Sequence, residues 1–138
     1  MRLLKSTGTL VGITFVLLSC SSSKVISTEK IEVTPGVSNS ELYYRFVIEV
    51  KTRKETNFKS ISLYSEEIKT FSVTDVLTNL QSDSKKSYPK GIYRLQFELT
   101  KEKVNETKKD ILKLSIKQQE KTILLTLKID KFKTVKLR

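Results

Sequence analysis

Histidine and tryptophan are absent from the 138 residues, cysteine and methionine occur once each, and there are only four glycines and two prolines. Without histidine the chain lacks the commonest general base and the commonest metal ligand. With one cysteine, Cys20, no disulfide can close inside the chain, and a transition-metal site built from His and Cys is excluded. Two of the four glycines, Gly8 and Gly12, lie near the N-terminus, which leaves too few for a glycine-rich phosphate loop. No segment gathers the oxygen ligands of a calcium loop. The one sustained apolar run, Leu10 to Leu18, is far short of the ~20 residues that cross a bilayer as a helix.

Catalytic groups are scarce for the same reason. The Ser-x-x-Lys spacing of Ser82 and Lys85 falls in a turn rich in Ser and Lys. The adjacent carboxylates Glu66 and Glu67 would face opposite sides of a strand, and they read better as a solvated turn than as a glycosidase pair. Asn105-Glu106-Thr107 has the spacing of a glycosylation acceptor. The chain therefore reads as non-catalytic, with no cofactor, no metal and no small-molecule substrate indicated.

Charge is plentiful and uneven. The formal net charge is +11, and residues 101–138 carry 12 Lys or Arg against 5 Asp or Glu, whereas residues 21–100 carry 12 against 10. A cationic field on the C-terminal third attracts anionic lipids or glycans. A lysine-rich composition that keeps strand faces soluble would look the same.

The N-terminus has the layout of an export signal. Met1 to Lys5 supply a positive start, Leu10 to Leu18 the apolar stretch, and Ser19 a small residue before Cys20. The segment Leu17-Leu18-Ser19-Cys20 resembles the lipobox of bacterial lipoprotein precursors. That resemblance implies cleavage before Cys20, a diacylglyceryl group on its sulfur, and usually an acyl chain such as palmitate on its new amino group. Several acyl chains, at ~0.8 kcal/mol per buried CH₂, hold a protein far more firmly than one myristoyl group. Ser21 in the next position resembles the class sorted to the outer membrane, so the resemblance implies the periplasmic face of that membrane. The expected organisation is residues 1–19 as signal peptide, 20–30 as lipidated cysteine and flexible tether, and 31–138 as one folded domain.

That domain is written in strands. Leu42, Tyr44, Phe46, Ile48 and Val50 alternate with polar or less apolar neighbours, the period of a strand with one buried face. Tyr93, Leu95, Phe97 and Leu99 repeat the pattern, followed by Leu112, Leu114 and Ile116, then by Ile123, Leu125, Leu127 and Ile129. Lys117 to Lys121 reads as a hairpin loop between the last two. Weaker strands are expected over 25–33, 58–64 and 68–73, with turns at 35–40, 53–57, 83–91 and 101–109. Residues 74–80 read as a loop-borne turn, with Ser72 and Asp75 at the spacing of a capping box.

About seven antiparallel strands without a βαβ pattern predict an all-β sandwich of two sheets. The pattern resembles an immunoglobulin-like or fibronectin-like sandwich. Gly91-Ile92-Tyr93 is similar to the Gly-x-Tyr stretch that carries a tyrosine corner there, although the family's core tryptophan and cysteine pair are missing. Tyr93 as a core aromatic with its hydroxyl satisfied is the other reading.

Two binding roles follow. The first is a lipid-anchored, non-catalytic module that docks to an envelope protein, with sheet edges as the natural surface. The alternative is direct binding of an anionic envelope lipid or glycan through Lys113, Lys117, Lys121 and Lys128 on one hairpin and Lys131, Lys133, Lys136 and Arg138 after it. Nucleic acid would be drawn to the same field but is not an expected partner of an exported chain. An enzyme using carboxylates and lysines from separate segments is the remaining class.

Overall fold

Strict alternation of apolar and polar residues marks the strands that become central. The computed structural model describes residues 23–36, 41–68, 70–83, 87–104 and 109–137. Within them lie β1 (Lys24–Thr34), β2 (Tyr43–Thr52), β3 (Thr56–Leu63), β4 (Glu66–Ile68), β5 (Ser72–Asp75), β6 (Leu80–Asp83), β7 (Ser87–Tyr88), β8 (Gly91–Thr100), β9 (Ile111–Gln118), β10 (Lys121–Lys128) and β11 (Lys131–Lys136). A single 3-10 turn, Lys101–Lys103, is the only helical element among the described residues. The six-stranded sheet runs β11-β1-β2-β8-β5-β6; the five-stranded sheet runs β10-β9-β3-β4, with β7 on the same side of β3 as β4.

The two sheets enclose one core. Tyr44, Phe46, Ile48 and Val50 of β2 and Tyr93, Leu95 and Phe97 of β8 face Phe58, Ile61 and Leu63 of β3 and Leu112, Leu114 and Ile116 of β9. Covering a side chain of this size contributes roughly 1.5–3 kcal/mol, so these four strands hold the domain together. Phe46 and Phe97 stack at 5.0 Å between centroids. At the other end of the core Phe58, Tyr88 and Tyr93 form a cluster of rings 5.1–5.7 Å apart.

Three expectations are corrected. The domain has eleven strands among its described residues rather than about seven, because β6, β7 and β11 occupy stretches read as turn or left unassigned, and the strand expected over 68–73 is split into β4 and β5. The loop-borne turn expected within 74–80 is present: Asp75 ends β5, its carbonyl accepts the Asn79 amide at 2.7 Å and its carboxylate the Leu77 amide at 3.0 Å, and the chain turns into β6. Glu66 and Glu67 lie in β4 instead of a turn, which falls on Tyr64-Ser65. Not all pairs are antiparallel, since β11 runs parallel to β1, with Glu29 to Thr34 matched to Lys131 to Lys136.

The parallel pair follows from a strand that changes sheets without reversing. β10 closes one sheet, the chain crosses at Ile129-Asp130, and β11 continues along the edge of the other. The Asp130 amide donates to the Thr28 carbonyl at 2.9 Å, and the Asp130 carboxylate accepts the Thr28 amide at 3.1 Å. Residues 24–30, expected as tether and as the start of a weak strand, lie inside β1. A bulge at Ile26 resets the alternation there, so Lys30, opposite Phe46, points between the sheets, while Ile31 and Val33 fall on the other face of β1, where Val33 is nonetheless buried.

Each end of the sandwich has its own polar closure. At one end the Gln118 amide nitrogen donates to Ser23 Oγ and Thr56 Oγ1, both at 2.9 Å, and all three residues are buried. At the same end Tyr93 donates to the Pro89 carbonyl at 2.6 Å, and the Gly91 amide donates to Thr52 Oγ1 at 3.0 Å. At the opposite end Lys30 Nζ donates to Asp110 at 2.6 Å, and the Tyr64 hydroxyl donates to the other oxygen of the same carboxylate. The first described residue, Ser23, thus enters beside the β9–β10 turn, at the far pole from Asp110.

Candidate functional site

β9 and β10 place the lysines singled out in the sequence. With Leu112, Leu114 and Ile116 turned inward, Ile111, Lys113, Ser115 and Lys117 line the outer face of their sheet. Thr126 stands opposite Lys113, and Lys128 opposite Ile111. Lys121 begins β10 beside the turn and is exposed. The remaining lysines fall elsewhere: Lys131, Lys133 and Lys136 are on β11, in the other sheet, and Lys133 is paired with Glu29 at 3.2 Å. Arg138 and Cys20 lie outside the described residues. The single basic surface expected from the sequence is therefore two, one on an outer sheet face and one on a sheet edge.

The first of these has a hollow. A pocket of about 390 Å³ is lined by Ser62, Tyr64, Ser65, Lys109, Ile111 and Lys113. Its floor is Ile111, its sides are the end of β3, the Tyr64-Ser65 turn and the entry to β9. Tyr64 and Ser65 both have positive φ, 55° and 66°, which makes the two-residue turn tight and brings its hydroxyl-bearing end against β9. Lys109 reaches the pocket because the chain bends there, the Ile111 amide donating to the Lys109 carbonyl at 2.9 Å. Lys128 is outside the lining but is the cross-strand neighbour of Ile111, diagonal to Lys113 at about 7–8 Å between backbones.

The charges around this pocket are not balanced locally. Among the described residues Lys109, Lys113 and Lys128 have no carboxylate within ion-pair distance. Asp110, between Lys109 and Ile111, turns inward, where its two oxygens are taken by Lys30 and Tyr64. Glu67, beside Ser62 on the far side from Lys113, is the one carboxylate on this stretch of face, and it is exposed. Two other clefts lie on the six-stranded sheet. One of about 730 Å³ is lined by hydroxyl and amide side chains with Glu98, and one of about 420 Å³ carries Glu41 and Glu98. Neither has a lysine in its lining, so an anion has one favoured hollow among the three.

Lys109, Ser62 and Ser65 were not singled out in the sequence. Turns bring in Lys109 and Ser65, and Ser62 joins them through the pairing of β3 with β9; no periodicity marks either kind of neighbour. Lys30 was equally hidden. Its ammonium lies 4.9 Å from the Tyr44 ring centroid, 5.8 Å from Phe46 and 5.9 Å from Phe132, as well as on Asp110. This cation is a structural clasp between the sheets.

Of the other residues considered for chemistry, Glu66 and Glu67 face opposite sides of β4. Ser82 shares a hydrogen bond of 2.6 Å with the Tyr88 hydroxyl, while Lys85 and Asn105-Glu106-Thr107 lie outside the described residues. Burial, and then the Asp75 carboxylate and the Tyr88 phenol, hold the Tyr93 hydroxyl above its ordinary range, which keeps it a neutral donor. Among the described residues no three acidic or sulfur side chains gather as a metal site, and no helix is long and apolar enough to cross a membrane. Compared with known proteins, the chain matches no family model, no curated relative and no solved structure.

Proposed function

We propose that this chain is a lipid-anchored protein of the bacterial envelope whose two-sheet domain works as a non-catalytic binding or structural module. The observation that carries the reading is Leu17-Leu18-Ser19-Cys20 at the end of an apolar stretch, with Ser23, three residues further on, already buried in the folded domain. Acylation of Cys20 would hold that domain against its membrane, and Ser21 favours the periplasmic face of the outer membrane. The test is Cys20→Ser in the native cell. The wild-type protein should sediment with membranes and partition into detergent, and the variant should keep its signal and lose its acyl groups; unchanged size and lipid labelling would contradict the reading.

The domain reads as an immunoglobulin-like sandwich. The order β1-β2-β8-β5 in one sheet and β4-β3-β9-β10 in the other is that of strands A-B-E-D and C′-C-F-G. The Tyr93 hydroxyl bond to a carbonyl four residues upstream supports the same reading. Tyr93 sits on the strand at the E position rather than on F, and β11 is an addition to the pattern.

A second reading, direct capture of an anionic envelope ligand, is favoured by the three lysines without carboxylate partners around the pocket at Ser62 and Ile111. Its broad form needs only a salt-sensitive association with an anionic glycan or lipid that weakens when lysines of the C-terminal third are replaced.

A further inference from the structure

We infer that the hollow lined by Ser62, Ser65, Lys109 and Lys113, with Lys128 on the adjacent strand, is a phosphate-binding site, and that it receives a phosphate group approaching from the side opposite the lipid anchor. The inference deepens the second reading by naming the site and the chemistry. Its orientation, though not the pocket, rests on Cys20 being the anchor.

Phosphate fits better than carboxylate. A carboxylate is planar and is best matched by the fork of an arginine, and no arginine lines the hollow. Two lysines and two serines in the lining, with Lys128 next to Ile111 on the neighbouring strand, suit a tetrahedral group that carries up to two charges and offers acceptors in several directions. Lysine acts there as a point charge with three donors. The inward turn of Asp110 is part of the design, since its carboxylate is spent on Lys30 and Tyr64 and does not oppose an anion in the pocket.

The direction of approach follows from the two poles. Ser23 is held by Gln118 at the turn end of β9, and the pocket lies at Ile111, the other end of the same strand. Seven strand steps separate those poles by about 23 Å. From Cys20 to Ser23 the chain can span at most about 11 Å. The Gln118 pole is therefore nearest the anchor, and the pocket stands beyond the reach of the surface potential of that leaflet, which fades over about 8 Å at physiological ionic strength.

The test uses the full lipidated chain in micelles of a neutral detergent, titrated calorimetrically with inorganic pyrophosphate. Saturable binding should weaken about tenfold in Lys113→Gln/Lys128→Gln and change less than about twofold in Lys131→Gln/Lys133→Gln/Lys136→Gln. Glu67→Gln should tighten it. Equal losses in the two lysine variants would leave only a diffuse cationic field and overturn the pocket; absence of saturable binding would also overturn the pocket, while the broader anionic reading falls only if no salt-sensitive association with an anionic glycan or lipid is found. A second arm places the chain in phosphatidylcholine vesicles with and without phosphatidic acid. Pyrophosphate affinity should be the same in both; a drop on adding phosphatidic acid would mean that headgroups of the anchoring leaflet fill the site, against the proposed approach. Protein isolated from its native cell that carries no lipid on Cys20 yet binds pyrophosphate would end the anchor reading and the orientation while leaving the pocket intact.

Discussion

Replacing Asp110 by Asn should cost the domain about 2–3 kcal/mol. The carboxylate receives Lys30 Nζ at 2.6 Å and the Tyr64 hydroxyl, and the side chains of Lys30 and Asp110 are only 12% and 20% exposed. Hydrogen bonds to a charged group contribute about 1.5–3 kcal/mol each, but partial access to water returns some of that when they break. Asparagine keeps an acceptor for one donor and removes the charge that balances Lys30 between the rings of Tyr44, Phe46 and Phe132. For a urea slope of about 1.5 kcal/mol per molar, the midpoint should fall by about 1.5 M. Circular dichroism near 215 nm reads the transition, since the chain has no tryptophan. Lys30→Met should cost about 1 kcal/mol, because the apolar chain fills the same space and the carboxylate can be hydrated. The double variant should then be milder than the sum of the singles by at least about 1 kcal/mol. Additive losses, or a shift under about 0.3 M for Asp110→Asn, would refute the clasp.

Three further outcomes are expected. Tyr93→Phe should lose about 1–2 kcal/mol in the same assay by leaving the Pro89 carbonyl without its donor. Because the folded state holds the Tyr93 proton more tightly than the unfolded chain, its contribution is complete below the ordinary tyrosine range and is lost as pH rises through and above pH ~10, so stability should fall on the alkaline side while absorbance at 295 nm shows one late-titrating phenol. Gln119, at φ 57° in the two-residue turn between β9 and β10, should accept glycine with a gain of about 0.5–1 kcal/mol; a loss would mean that the turn is not under that strain.

Legibility in the sequence followed the neighbours of each strand. β2, β8 and β9 have a strand on both sides and one face in the core, so their alternation is complete and their inward residues were predictable one by one. β11 is exposed throughout, so Lys131, Lys133 and Lys136 with Phe132 and Val135 show no buried face from which a strand could be assigned until pairing with β1 gives them a place. In β1 the bulge at Ile26 breaks the period, and a lysine faces inward where alternation alone would put an apolar residue. The pocket was half legible for a related reason. Lys113 and Lys128 are fixed by strand period, whereas Lys109, Ser62 and Ser65 join them only through two turns and the pairing of β3 with β9. Sheet exchange at Ile129-Asp130 separates the basic residues of β10 from those of β11, and nothing in the order of residues announces it.

Intact mass of the protein isolated from its native cell bears most directly on the claim of a lipid anchor three residues from a folded domain. The account predicts a chain beginning at Cys20, heavier than the peptide by a diacylglyceryl group and usually one further acyl chain. A product that retains Met1, or one that begins elsewhere without fatty chains, would contradict it.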